Sequence, residues 1–146
     1  MKICTVKRNI KTPRKISAVV SALIEKDRKI LLVKRKRSKK AFPGFWGLPT
    51  GKVKAGETLE EALIRETKEE TSLKIKPLEL FHLTQEFHDN HHHLVFCFKT
   101  KIVGGKLKAG SDVCDIKWFN LNKIKVKLQP VAKEQIKEFK KMLNAF

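Results

Sequence analysis

Apolar residues recur with two different periods along this chain, and the switches between them mark its elements. Residues 16–24 are a nearly continuous apolar, β-prone run, Asp27-Arg28 offers a turn, and residues 30–34 return as a second strand, which predicts a hairpin. From Thr58 the period becomes helical: at about 100° per residue, Leu59, Leu63, Glu66, Glu70 and Leu73 share one stripe. Residues 78–87 and 94–103 read as two strands around a polar turn at Asp89-Asn90, with another turn at Gly104-Gly105. Residues 112–121, with Trp118 and Phe119, read as a last strand. Pro130 opens a final helix near 131–144, whose apolar face is Ile136, Phe139 and Leu143. With no linker and no internal repeat, residues 1–146 are expected to form one domain of alternating strands and helices.

The first helix carries an anomaly. Glu66, Glu69 and Glu70 fall within one turn, where like charges destabilise a helix. Glu66 and Glu70 also continue the stripe that should face the core, whereas a solvated charge face would put its acids opposite. Inward carboxylates are costly unless paired or metal-bound. Oxygen-only donors suit a hard divalent ion such as Mg²⁺ or Mn²⁺, and the alternative is a structural ion-pair network. Thr58 and Glu61 form a capping box, and Glu57 and Glu60 favour the positive end of the helix dipole. Arg65 is spaced to pair with Glu61 and Glu69. Gly51 and Gly56 bracket the preceding loop, which lets backbone come close to a ligand or metal.

The segment GKVKAGETLEEALIRETKEETSL, residues 51–73, resembles the Nudix box, with Gly51, Glu57, Arg65, Glu66, Glu69, Glu70 and Leu73 on its fixed positions. The run Gly44-Phe45-Trp46-Gly47-Leu48-Pro49 resembles the stretch that precedes the box, and the Trp118-Phe119 pair is also common in the family. Ser72 stands where the family has glycine and Thr67 where it often has an aliphatic residue, while no carboxylate is lost. The resemblance implies a mixed α/β (α+β) fold, an α/β/α sandwich whose central mixed sheet lies between a box helix near 58–71 and the C-terminal helix near 131–144. It implies hydrolysis of a nucleoside diphosphate linked to another group, with Mg²⁺ or Mn²⁺ as cofactor. Glu66, Glu69 and Glu70 are then the expected metal ligands, with a carbonyl of Thr50 or Gly51 beside them. One of these glutamates, Glu66 first, is the expected general base. Arg65 orients a glutamate, and Glu57 anchors the loop or binds an outer-shell metal.

Composition narrows the class. The chain has 146 residues, long enough for one core, and 41% hydrophobic content excludes a disordered chain. No apolar run could span a bilayer, and the basic N-terminal segment lacks the apolar stretch of a secretory signal. Cys4, Cys97 and Cys114 show no ligand spacing, so reduced structural thiols in a cytoplasmic protein are expected. Thirty-three Lys and Arg against fifteen Asp and Glu give a net charge of +18, which invites nucleic acid. The lysines are spread from Lys2 to Lys141, however, which weakens that case, and a small nucleotide is the favoured partner. A homodimer is compatible with the sequence.

Other residues suggest how substrate is held. In the basic run 34–40, Arg35 and Arg37 share one strand face and could grip a diphosphate; the plain alternative is a solvated loop. Phe45 and Trp46, with Phe42 and Pro43, form an aromatic loop where one ring could stack on a base or simply pack. His88, His91, His92 and His93 cannot all converge on a metal, because successive strand residues face opposite ways; a substrate contact or a plain sheet edge is expected. Glu79 or Glu86 could add a carboxylate near the box helix. The chain has no tyrosine and shows no proline at the distance common in ADP-ribose enzymes of the family. A canonical or oxidised nucleoside triphosphate, cleaved to monophosphate and pyrophosphate, is therefore the first expectation and ADP-ribose or another nucleotide sugar the second. An RNA 5′ pyrophosphohydrolase and a non-catalytic nucleotide- or RNA-binding domain are the remaining alternatives.

Overall fold

A computed structural model describes residues 3–36, 42–110 and 112–145, without the side chains of residues 8–14, 88 and 89. The chain runs β1 (Ile3–Lys26), β2 (Lys29–Arg35), β3 (Trp46–Gly47), β4 (Thr50–Lys52), α1 (Leu59–Thr71), β5 (Leu73–Gly105), β6 (Val113–Asn120) and α2 (Pro130–Asn144). Strand β1 is the hub of a mixed sheet. It pairs antiparallel with β4 through Val19, Val20 and Ser21, antiparallel with β2 at Glu25 and Lys26, and parallel with β5 from Ile3 to Ile24. Strand β2 pairs antiparallel with β3 and β6.

The β1–β2 hairpin turns at Asp27 and Arg28, with φ of 52° and 62°. Two successive left-handed residues make the turn whose twist suits a two-residue hairpin. Residues 19–24 are buried on both faces of the sheet, which is why the run reads as continuously apolar. Its side chains divide between two cores. Leu23 joins Trp46, Leu48, Cys97, Ile136 and Phe139 beneath α2. Val20, Ala22 and Ile24 join Ala62, Leu63, Leu73 and Phe98 beneath α1. The expected α/β/α layering, with a mixed sheet between two helices, is thus found.

One expectation is met and one is corrected. The 73–105 stretch folds back on itself about residues 89–90, as expected: Gly105 lies against Leu73 and Lys74, His93 meets Glu86 at 3.1 Å and His92 stacks on Phe87. Strand β1, however, begins at Ile3, well before residue 16. The cause is the parallel ladder between β1 and β5. It holds the 83–91 stretch against the chain's N-terminal segment and so extends β1 to Ile3. The register with β1 shifts between Ile10 and Lys15, opposite the turn at 89–91. Pro13 lies in that gap and has no N–H to give to a ladder. Cys4, Cys97 and Cys114 are free thiols, and Cys97 is buried. Among the described residues no helix is long and apolar enough to cross a membrane.

Candidate active site

Helix α1 is fixed at both ends. At its start, Thr58 Oγ1 accepts a 3.1 Å hydrogen bond from the Glu61 N–H. At its end, Ser72 takes the left-handed conformation (φ 64°) that glycine usually supplies, and its N–H donates to the Lys68 carbonyl. The loop after β5 finishes the cap: Lys108 N–H donates to Thr71 O and Gly110 N–H to Glu70 O, both at 2.9 Å. A side chain at Gly110 would collide with the Glu69 carbonyl. The last turn, which carries Glu69 and Glu70, is therefore held in place from outside the helix.

Glu66 and Glu70 lie within the buried arc of α1, but there they meet the backbone of β4 rather than core. Glu70 Oε2 accepts the Thr50 N–H at 3.1 Å. A Cβ on Gly51 would overlap the Glu66 carboxyl, so glycine is required to admit that side chain. Sequence reasoning gave Gly51 a close approach to a ligand; the close approach observed is that of Glu66.

Arg65 ties the site together. Its Nε and Nη2 donate to both oxygens of Glu57 at 2.7 and 2.8 Å, Nη1 donates to Glu66 Oε1 at 2.7 Å, and Nη2 also donates to Lys52 O at 3.0 Å. Glu69 is a weaker partner at 3.4 Å and is largely exposed. Glu57 also accepts the Lys54 N–H at 2.8 Å, which closes the loop onto the helix. The guanidinium beside Glu57 holds that carboxyl down at about 2.

The other carboxylates shift oppositely. Burial raises Glu66. Burial pushes Glu70 up to about 8, with the charges of Glu66 and Asp112 adding to it and the Thr50 N–H and Arg35 opposing. Half-buried acids that disfavour one another's ionisation are what a cation would relieve. The donors are all oxygen, which fits a hard divalent ion. Among the described residues, no three acidic, histidine or cysteine side chains are already closed into a cage. Glu66 and Glu70 converge, whereas Glu69 points outward beside Arg65. Asp112 was read from sequence only as the edge of a strand; its position in the loop that caps α1 brings its charge to Glu70.

A cleft of about 320 Å³ opens against the other side of β4, with Thr50, Gly51 and Arg35 in its wall. The Arg35 Nε is buried and has no hydrogen-bond partner among the described residues. Deeper in the cleft are Glu86 and His93, 3.1 Å apart, and Gln129 and Gln135 of the α2 end. Gln135 is 1% exposed and its Nε2 has no partner among the described residues. His92 stacks on Phe87 at 4.2 Å, while His91 and His93 line the cleft, as strand alternation requires. Phe42 lines the cleft as well. Phe45 lies outside it, beside Pro43 and Lys127, and Trp46 is buried edge-on against Phe119 in the core. Glu79 is exposed. Arg37 lies outside the described residues.

The profile of the NUDIX domain matches residues 13–141. The chain is 42% identical over 110 residues to an ADP-ribose pyrophosphatase of Methanocaldococcus jannaschii, covering 74% of this chain and 64% of that protein. It is 34% identical over 121 residues to a protein of Bacillus subtilis named as a putative 8-oxo-dGTP diphosphatase, covering 81% and 75%. The fold superimposes on the MutT NUDIX hydrolase of Burkholderia pseudomallei with a TM-score of 0.78 at 25% identity, covering 86% of this chain and 98% of that one. The chain thus spans just under two thirds of the archaeal relative's length. Nudix hydrolases generally depend on divalent metal ions. The box on α1, the profile match and the shared fold agree, and the chain belongs to the Nudix hydrolases, enzymes that act on pyrophosphate bonds.

Proposed function

We propose that this chain hydrolyses the diphosphate of a nucleoside diphosphate derivative, with ADP-ribose or a similar nucleotide sugar as the leading substrate. The observation that carries the reading is a shared wall. Thr50 and Gly51 face the Glu66–Glu70 pair on one side and the cleft on the other, and Arg35 touches both regions. A diphosphate lying along β4 would meet Arg35 on its oxygens, while its nucleoside fills the cleft toward Gln129, Gln135 and His93. Glu66 and Glu70 would hold Mg²⁺ or Mn²⁺, with Glu69 and a carbonyl of Thr50 or Gly51 completing the donors. Such an ion offsets the diphosphate charge and lowers the pKa of water.

Attack of water on phosphorus breaks one P–O bond of the anhydride, and the water proton passes to a glutamate. Glu66 stands first for that role and Glu69 second. Arg65 positions Glu66 from the side, and Glu57 keeps Arg65 in place. The cleft's apolar lining limits bulk water around the bound nucleoside.

The 42% identity to the archaeal ADP-ribose pyrophosphatase is what supports putting ADP-ribose first here, ahead of the nucleoside triphosphate that sequence alone suggested. A nucleoside triphosphate, oxidised or canonical, is the second reading, favoured by the relative named for 8-oxo-dGTP. Release of phosphate, pyrophosphate and nucleoside monophosphate from ADP-ribose, triphosphates, dinucleoside polyphosphates and 5′-triphosphate RNA, each with Mg²⁺ or Mn²⁺, separates these readings. ADP-ribose turnover to AMP that needs the metal is the expected result. Preferred release of pyrophosphate from a triphosphate establishes the second reading, and no turnover by folded protein removes both.

A further inference from the structure

On helix α2, Lys133, Lys137 and Lys141 are exposed along one edge with Lys140 beside them. The helix's two acids lie toward Cys4 and His82, and Lys137 borders them there. Next to the lysine edge, the segment 122–128 alternates: Lys123, Lys125 and Lys127 are exposed while Ile124, Val126 and Leu128 pack on the core. Between them runs a groove of about 450 Å³ with Ile124, Leu128 and Ile136 in its lining and Lys133, Lys137, Lys140 and Lys141 around it. The fold thus presents one lysine-rich stretch of sequence around a single groove. Residues 121–144 hold seven lysines and two acids, whereas residues 51–73 hold four basic residues and six glutamates.

Among the described residues the ion pairs belong to Arg65, His93 and Lys117, and none involves a lysine of this groove. Lys133 to Lys141 spans about 12 Å along the helix axis. Phosphates recur about every 3.4 Å along one strand of a duplex, so the stripe matches three to four of them. An anionic membrane fits less well. Among the described residues the large exposed apolar side chains, Ile3, Ile16, Ile64, Leu78, Val103 and Leu107, are all on other elements and offer this face no wedge to insert. No aromatic ring among the described residues lines the groove, which favours backbone contact over base stacking.

We propose that the lysine edge of α2 and segment 122–128 form a docking surface for the phosphate backbone of a nucleic acid. Its lining shares no residue with the cleft beside β4. Binding is sequence-independent and salt-sensitive, and it leaves small-nucleotide hydrolysis untouched.

The test is fluorescence anisotropy of labelled duplexes of about 20 base pairs and scrambled sequence, DNA and RNA, titrated with the full chain from about 50 to 300 mM NaCl. The Lys133→Gln/Lys137→Gln/Lys140→Gln/Lys141→Gln protein should lose about 3 to 4 units from the slope of log affinity against log salt. Its turnover of a small nucleotide should equal that of the wild type. A control with the same charge change elsewhere, Lys74→Gln/Lys76→Gln/Lys101→Gln/Lys106→Gln, should keep the slope. If circular dichroism shows the α2 variant unfolded, Lys123→Gln/Lys125→Gln/Lys127→Gln takes its place, with a loss of about 2 to 3 units. Equal losses in variant and control would overturn the proposal in favour of diffuse attraction. So would no duplex binding by the wild type at the lowest salt, or a lysine-dependent affinity for phosphatidylserine vesicles alone.

Discussion

The two helices pack on opposite faces of one sheet and use charge in opposite ways. Helix α1 turns Glu66 and Glu70 inward against β4 and keeps Ile64 outside, 40% exposed. Helix α2 turns Val131, Ile136 and Phe139 inward and sends its lysines out. By burial and amphipathicity α2 is an ordinary surface helix. Helix α1 departs from that pattern at two positions, and those departures mark the site, because an inward carboxylate lowers stability unless something binds it. Substitutions on α2 should therefore change stability or docking, and substitutions on α1 should change chemistry.

The largest expected effect tests the first half of that contrast. Phe139 is 1% exposed, and Phe139→Ala should cost about 3 to 5 kcal/mol of unfolding free energy. Protein that remains folded should keep its catalytic rate at low temperature. A selective loss of rate would place α2's core face in the chemistry. Next comes Gly51→Ala, which drives a methyl into the Glu66 carboxyl. Overpacking of this kind costs about 1 to 3 kcal/mol. Metal-dependent turnover should fall further than the melting temperature alone accounts for; a near-silent change would mean Glu66 is free to move aside.

Arg65→Lys keeps the charge but loses the two-pronged grip on Glu57. A fall of about 10- to 100-fold in turnover is expected, with little change in KM. The same pair sets an acid limit on stability. Glu57 is depressed to about 2, so its contribution is complete above the unfolded carboxyl pKa of about 4.3 and is lost as pH falls through about 2. Melting curves of wild type and Glu57→Gln should differ at pH 6 and converge below about pH 2. A constant gap would separate the effect from ionisation. The smallest expected change is Ser72→Gly at the end of α1. Removing a side chain from a left-handed residue should raise stability by about 0.5 to 1 kcal/mol, less what the bond from Ser72 Oγ to Lys108 O contributes.

How far these regions were legible follows from the range of the interactions that build them. Helix α1 was readable because its signals are local: Thr58 and Glu61 are three residues apart, and the acids stand at helical spacing. Pro130 announced α2 for the same reason. The parallel ladder between β1 and β5 was not readable, since Ile3 meets Leu83 across most of the chain and no local pattern encodes that pairing. The turn at Asp89-Asn90 was readable because its polar composition is a local signal. Trp46 was indistinguishable from a stacking residue until its burial against Phe119 was seen. Asp112 reaches Glu70 only because Lys108 and Gly110 cap α1. The lysines of residues 121–144 are neighbours in sequence, but the groove between them exists only after residues 122–128 fold beside the helix.

The most direct measurement is thermal melting of wild type and Glu70→Gln at neutral pH, each with and without Mn²⁺. The inward carboxylate of the wild type should be relieved by the ion, so its melting temperature should rise with Mn²⁺. Glu70→Gln keeps an oxygen for the Thr50 N–H and sheds the buried charge. It should melt higher than the wild type without metal, gain little from Mn²⁺, and lose more than about a hundredfold in turnover. Equal stabilisation of both proteins by Mn²⁺, with turnover retained in the variant, would contradict the assignment of Glu66 and Glu70 as the cation site.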